Sequence, residues 1–127
     1  MNKVMYIAIN DDLNMSPGKI GAQSAHAIKE FIYQSLIPNG KLFNSEKGIM
    51  GAINDLDGFI AKGNTIITLK ATNNQMLKFE SEGYIVVKDY GRTEVEPGSL
   101  TAACLGIYDK DDKENPVPKF IQRLRLL

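Results

Sequence analysis

Four short apolar runs, residues 4–10, 64–71, 84–89 and 99–108, are separated by stretches of helical period, and that alternation leaves few folds open. The first, VMYIAIN, is β-branched and stops at the turn signal Asn10, Asp11, Asp12, so it predicts a buried strand near the middle of a sheet. Ser16 then offers a side-chain oxygen to the free amides of a helix start, and Pro17 has no amide hydrogen to waste at the first helical position. A helix is expected over 17–35. Glycines and Pro38 interrupt a weak helical pattern in Ile49, Met50, Ile53 and Leu56, so 38–58 reads as loop plus an imperfect helix. After the second strand, Asn73 is the expected cap of a short helix through Phe79, stopped by Gly83.

Strand, helix, strand, helix, strand order favours parallel strands joined by right-handed crossovers. The connection GRTEVEPGS, residues 91–99, lets the last strand pair antiparallel or add an edge. The fold class that follows is α/β: a single domain over 1–127 with a mixed four-stranded sheet and helices packed on it. Residues 109–116 form a solvated charged loop, and the closing segment 118–127 carries Lys119, Arg123 and Arg125 among apolar side chains.

Composition excludes several classes of function. At 127 residues the chain can bury about two thirds of its unfolded surface as one domain. No apolar run approaches the roughly 18 residues of a membrane span, and the strand-like pattern of residues 1–10 with acidic residues straight after it is not that expected of a signal peptide. The single Cys104 and single His26 cannot build a thiolate-rich zinc site, and one cysteine points to the cytoplasm. Fifteen Lys and Arg balance fifteen Asp and Glu, so any nucleic-acid contact has to be a local patch.

The chemistry concentrates in two stretches, 15–27 and 89–102, each placing ionisable groups beside glycines at the edge of an expected element. On the first helix Ile20, Ala27, Ile28 and Phe31 share an apolar stripe, while Lys19, Gln23, His26 and Glu30 share a polar one, the candidate working face. Lys19 lies in the first turn, where a cation is disfavoured by roughly 0.3–1 kcal/mol; either it is solvated, or it joins backbone amides in holding an anion or an oxyanion. It is no P-loop lysine, because Leu13 stands where the first glycine belongs and Ile20 replaces the magnesium-binding Ser or Thr. Asp89 ends the third strand, either as a turn residue bonding backbone amides or as a catalytic carboxylate. Thr101 falls near the start of the fourth strand, where its hydroxyl could face Asp89, and Cys104 reads as a buried, inert thiol.

Together the two stretches resemble the type II peptidyl-tRNA hydrolases. DLNMSPGKIGAQSAHA, residues 12–27, is similar to that family's D-L-x-M-x-x-G-K-I/V-A-A-Q-C-A-H-A. DYGRTEVEPGSLTAACLGI, residues 89–107, is similar to D-A-G-R-T-Q-I/V-x-P-G-S-x-T-V-L-A-I-G, and the terminal LRLL to L-K-L-L. The resemblance implies a homodimeric α/β domain that hydrolyses the ester between a stalled peptide and its tRNA, with no metal or other cofactor. Carried over by motif, it gives Lys19, Asp89 and Thr101 catalytic roles and makes Gln23, His26, Arg92 and Thr93 substrate-binding. Asp89 would position or deprotonate water, Lys19 would stabilise negative charge, and Gln23 would orient the ester.

The sequence departs from the family pattern at Asn10 for Arg, Ser24 for Cys, Tyr90 for a small residue, Glu94 for Gln, and Gly106–Ile107 for Gly-Pro. One cation fewer and one carboxylate more weaken attraction to a phosphate backbone. The runner-up reading is therefore a binding or regulatory module that keeps the fold without the hydrolysis, followed by an unrelated small-molecule hydrolase.

Overall fold

A computed structural model describes residues 3–37, 48–61, 65–91 and 94–127. The elements run β1 (Lys3–Asn10), a 3-10 turn (Asp11–Leu13), α1 (Pro17–Leu36), α2 (Gly48–Ala61), β2 (Thr65–Ala71), α3 (Asn73–Ser81), β3 (Ile85–Lys88), β4 (Leu100–Asp109) and α4 (Lys119–Arg123). Every expected strand is present. Of the expected loop with an imperfect helix over 38–58, residues 38–47 lie outside those described, and the remainder belongs to α2. None of the helices among the described residues is long and apolar enough to cross a membrane.

The sheet order is β2-β1-β4-β3, with β1 and β2 parallel and β4 antiparallel to both β1 and β3. β1, β2 and β3, which are joined to one another through helices, thus share one direction, as the alternation predicts. The last strand does pair antiparallel, but it inserts between β1 and β3 instead of adding an edge. Insertion buries its small residues Ala102 and Ala103 completely, which an edge position would not.

Alternation along β1 sends its side chains into two cores. Val4, Tyr6 and Ala8 pack with Met76, Phe79 and Ile121 of α3 and α4. Met5, Ile7 and Ile9 pack with Ala27 of α1 and Phe59 of α2. At fourteen residues, α2 closes the second core beside α1.

Two local corrections concern helix entry. The cap of α3 is Thr72, not Asn73: Thr72 accepts from the Gln75 amide and the Gln75 side chain accepts from the Thr72 amide, the reciprocal box that the T-x-x-Q spacing encodes. Asn73 opens the helix and its Oδ1 accepts from Asn10 Nδ2 at 3.0 Å. Asn10, 1% exposed, also donates to Leu100 O and accepts from the Asp12 amide, so it ends β1, starts the 3-10 turn and ties both to β4.

The β3–β4 register skips one residue between Val87–Ala102 and Lys88–Leu100, leaving Thr101 as the extra residue of a bulge. Leu100 belongs to the α3 core and Ala102 to the α1 core, while Thr101 bonds to α1. Two consecutive side chains therefore face α1. Without the bulge, strict alternation would turn Thr101 away from that helix.

At the other sheet edge, Lys70 N donates to Arg125 O, Leu127 N donates to Thr68 O, and Leu69 bridges Leu126. The terminal LRLL thus covers β2. This puts Arg125 on the edge opposite β3, so it does not gather with Lys19 and Lys88 into one cationic surface.

Candidate active site

Ser16 caps α1 as expected, its Oγ accepting from the Lys19 amide at 3.3 Å, and Pro17 follows in the first turn. Its own amide and hydroxyl both donate to Glu94, the amide at 2.9 Å. These bonds hold the Glu94 carboxyl below its ordinary range, and they pin the loop after Asp89 to the start of α1. The departures Asn10 and Glu94 are thus both committed to local structure.

The loop itself is closed by main-chain bonds. Asp89 N donates to Ser99 O at 2.9 Å and Gly98 N donates to Asp89 O at 2.6 Å. Gly91 adopts φ 74°, where a Cβ would sit 2.6 Å from Pro97 Cγ, so no other residue fits there. Its amide donates to Asp89 Oδ1 at 2.7 Å. The turn-forming reading of Asp89 is correct for this oxygen.

The second oxygen is used differently. Lys19 Nζ donates to Asp89 Oδ2 at 2.6 Å and Gln23 Nε2 donates to the same atom at 3.1 Å. Thr101 Oγ1 in turn donates to Gln23 Oε1 at 2.6 Å. Gln23 is 4% exposed and Thr101 fully buried. The Lys19 hydrogen bond, then the Gly91 amide, hold the Asp89 carboxyl below the usual carboxylate range against the opposing pull of burial.

This arrangement bears on three expectations. Lys19 is not solvated; the anion it holds is the protein's own carboxylate. Thr101 does not face Asp89 directly but reaches it through Gln23. Gln23 belongs to the polar stripe, and both ends of its amide are engaged with protein partners. The i, i+4 spacing of Lys19 and Gln23 was the signal that one group could receive both side chains.

His26 stands exposed one turn further along α1 and lines a groove of about 870 Å³ with Lys19, Gln23, Asp89 and Tyr90. Arg92 and Thr93, the other expected substrate-binding residues, lie outside the described residues. Tyr90 is 81% exposed at the same groove. Cys104 is buried, and burial pushes its thiol up to about 12, out of range for a nucleophile at neutral pH.

Residues 3–127 match the family model described as Peptidyl-tRNA hydrolase PTH2. The chain belongs to that family. A peptidyl-tRNA hydrolase of Thermoplasma acidophilum is 34% identical, with all of each chain covered. One from Methanococcus maripaludis strain C7 is 32% identical over 95% of this chain and 96% of the relative, and one from Methanocaldococcus jannaschii is 28% identical over 97% and 98%. For a PTH2 family member the central observation is that residues from α1, from the end of β3 and from the β4 bulge meet in one hydrogen-bonded group. Lys19 and Asp89 come together across 70 positions of sequence.

Proposed function

We propose that this chain hydrolyses the ester joining a peptide to the ribose of its tRNA, releasing peptide and free tRNA. The observation that carries the reading is the convergence of Lys19, Gln23 and Asp89 in the lining of a groove, with the buried Thr101 bonded to Gln23 behind them. Water adds across the ester carbonyl, its hydroxyl going to carbon and its remaining proton to the departing ribose oxygen.

A carboxylate has about four acceptor positions, and Asp89 has committed three to Lys19, Gln23 and Gly91. The fourth serves the attacking water. With its pKa held low, Asp89 is a weak proton store at neutral pH, so its main role is to orient and polarise that water. Lys19 has two further ammonium hydrogens for the tetrahedral oxyanion, a contribution of roughly 3 kcal/mol. Gln23 and Thr101 act as positioning residues, His26 contacts substrate along the groove, and Arg92 and Thr93 are read from the motif as further substrate-binding residues.

The active form is read as a cytoplasmic homodimer of one domain spanning 1–127, using no cofactor. Ile32, Tyr33 and Leu36, exposed on the second half of α1, offer an apolar face for pairing. Single-turnover release assays on peptidyl-tRNA and the matching aminoacyl-tRNA test the reading. Release from the first and not the second is expected. No release at excess protein would leave the non-catalytic binding module standing.

A further inference from the structure

The groove beside Asp89 has an unusual charge arrangement. Its lining includes Lys19, Lys29 and Lys88, and also Asp89, Glu30 and Glu80. Every one of these lysines is paired with one of these carboxylates: Lys19 with Asp89 at 2.6 Å, Lys29 with Glu30 at 3.3 Å and Lys88 with Glu80 at 3.0 Å. A phosphate backbone laid here would meet three carboxylates that cancel the charge of the three lysines. The groove instead suits an uncharged chain.

Its wall supplies what such a chain needs. Among the described residues β3 is hydrogen-bonded on one side only, to β4. Both main-chain groups of Asp89 turn toward the β4 side, to Ser99 and Gly98. Antiparallel alternation then directs the main-chain groups of Lys88 and Val86 outward, into the groove they line. The opposite sheet edge is covered by the chain's own terminus through Arg125 and Leu127, whereas no strand among the described residues pairs with this edge, which leads directly to Asp89. His26 and Ala22 of α1 flank it on one side and Glu80 of α3 on the other.

We propose that the peptide half of the substrate binds here in extended form, adding a strand to β3 through the main chains of Val86 and Lys88, with its ester carbonyl at Asp89. The inference rests on the hydrolase reading and deepens it. Main-chain pairing is indifferent to peptide sequence, and it leaves the nucleic acid to the rim beyond Tyr90.

Two measurements on the intact protein test this. The first compares kcat/KM for acetyl-aminoacyl-tRNA, acetyl-tetrapeptidyl-tRNA and the same tetrapeptidyl substrate N-methylated along its backbone. The longer peptide should gain about tenfold from two added hydrogen bonds, and N-methylation should erase the gain. The second follows backbone amide shifts and hydrogen exchange on adding a neutral acetylated pentapeptide amide, or an acceptor-stem RNA without peptide. Protection of the Val86 and Lys88 amides by the pentapeptide alone supports the added strand. Turnover that is indifferent to peptide length, or amides that respond to the RNA and not to the peptide, overturns it. Failure of the hydrolase reading is distinguishable, since it abolishes turnover of all three substrates while the amide measurement still decides what the groove holds.

Discussion

The Lys19 ammonium lies 2.6 Å from the Asp89 carboxylate, with 10% and 9% of the two side chains exposed. A pair this sheltered is poorly screened by solvent, and removing one partner leaves the other charge desolvated and unmatched. Lys19→Met is therefore expected to do more than remove an oxyanion donor. It should lower kcat/KM on peptidyl-tRNA by at least about 10² and reduce stability by about 1–3 kcal/mol in denaturant titrations. Adding Asp89→Asn should recover much of the stability and none of the activity. Full activity in Lys19→Met would end the oxyanion role.

The same pair sets the pH response. The folded Asp89 carboxyl is held below its ordinary value of 3.8, so as pH falls the unfolded chain binds this proton first. The stability it supplies is complete above the ordinary value and is lost as pH drops through the lower folded value. Likewise kcat/KM should show no Asp89 limb between neutral pH and 3.8. Lys19→Met removes the largest lowering influence and should move the acid limb of its residual activity upward. A pH–rate profile of both proteins makes the comparison. An unmoved limb would detach that ionisation from Asp89.

The Thr101 hydroxyl donates to Gln23 Oε1 at 2.6 Å. Thr101→Val keeps the branched shape but strips Gln23 Oε1 of its donor inside the protein, costing about 1–3 kcal/mol of stability. Turnover should fall about tenfold, with KM little changed, because a loosened Gln23 no longer fixes Asp89. Thr101→Ser should restore most of both losses. If Val and Ser behave alike, the relay through Gln23 has no catalytic weight.

Two glycines should respond in opposite senses to alanine. At Gly91 a Cβ meets Pro97 at 2.6 Å and φ is 74°, so Gly91→Ala must distort the loop that feeds an amide to Asp89. A stability loss above about 2 kcal/mol and a large loss of turnover are expected. Gly21 lies within α1 with open space around its missing Cβ. Gly21→Ala should raise the unfolding midpoint, by about 0.5–1 kcal/mol in stability, through helix propensity.

The legible parts of this molecule were those governed by short-range pattern. Period and turn chemistry located the four strands and fixed the start of α1 at Ser16 and Pro17. Asn73 was misread as a cap because Thr72 and Gln75 form a reciprocal pair that a single-residue criterion overlooks. The motifs carried Lys19, Gln23, Asp89 and Thr101, but their order of contact depends on the β4 bulge. A bulge is a slip of register between strands distant in sequence, with no mark on Thr101 itself. Glu94 read as an added charge near the site because nothing local reveals that it would accept from Ser16. The insertion of β4 between β1 and β3 was likewise a long-range outcome, decided by which strands can bury small residues on both faces.

Cys104 gives the sheet a built-in clock. It is the only cysteine, 1% exposed, with a thiol pushed up to about 12, and it sits opposite Ile7 on one neighbouring strand and Ile85 on the other. Its side chain lies in the core beneath α1 and α2, so a thiol reagent can reach it only when those helices lift from the sheet or one of the ladders separates. The rate of its covalent tagging at neutral pH therefore counts openings of that core, with no engineered probe. Applied to the variants above, that rate would separate damage confined to the groove from loosening of the scaffold beneath it.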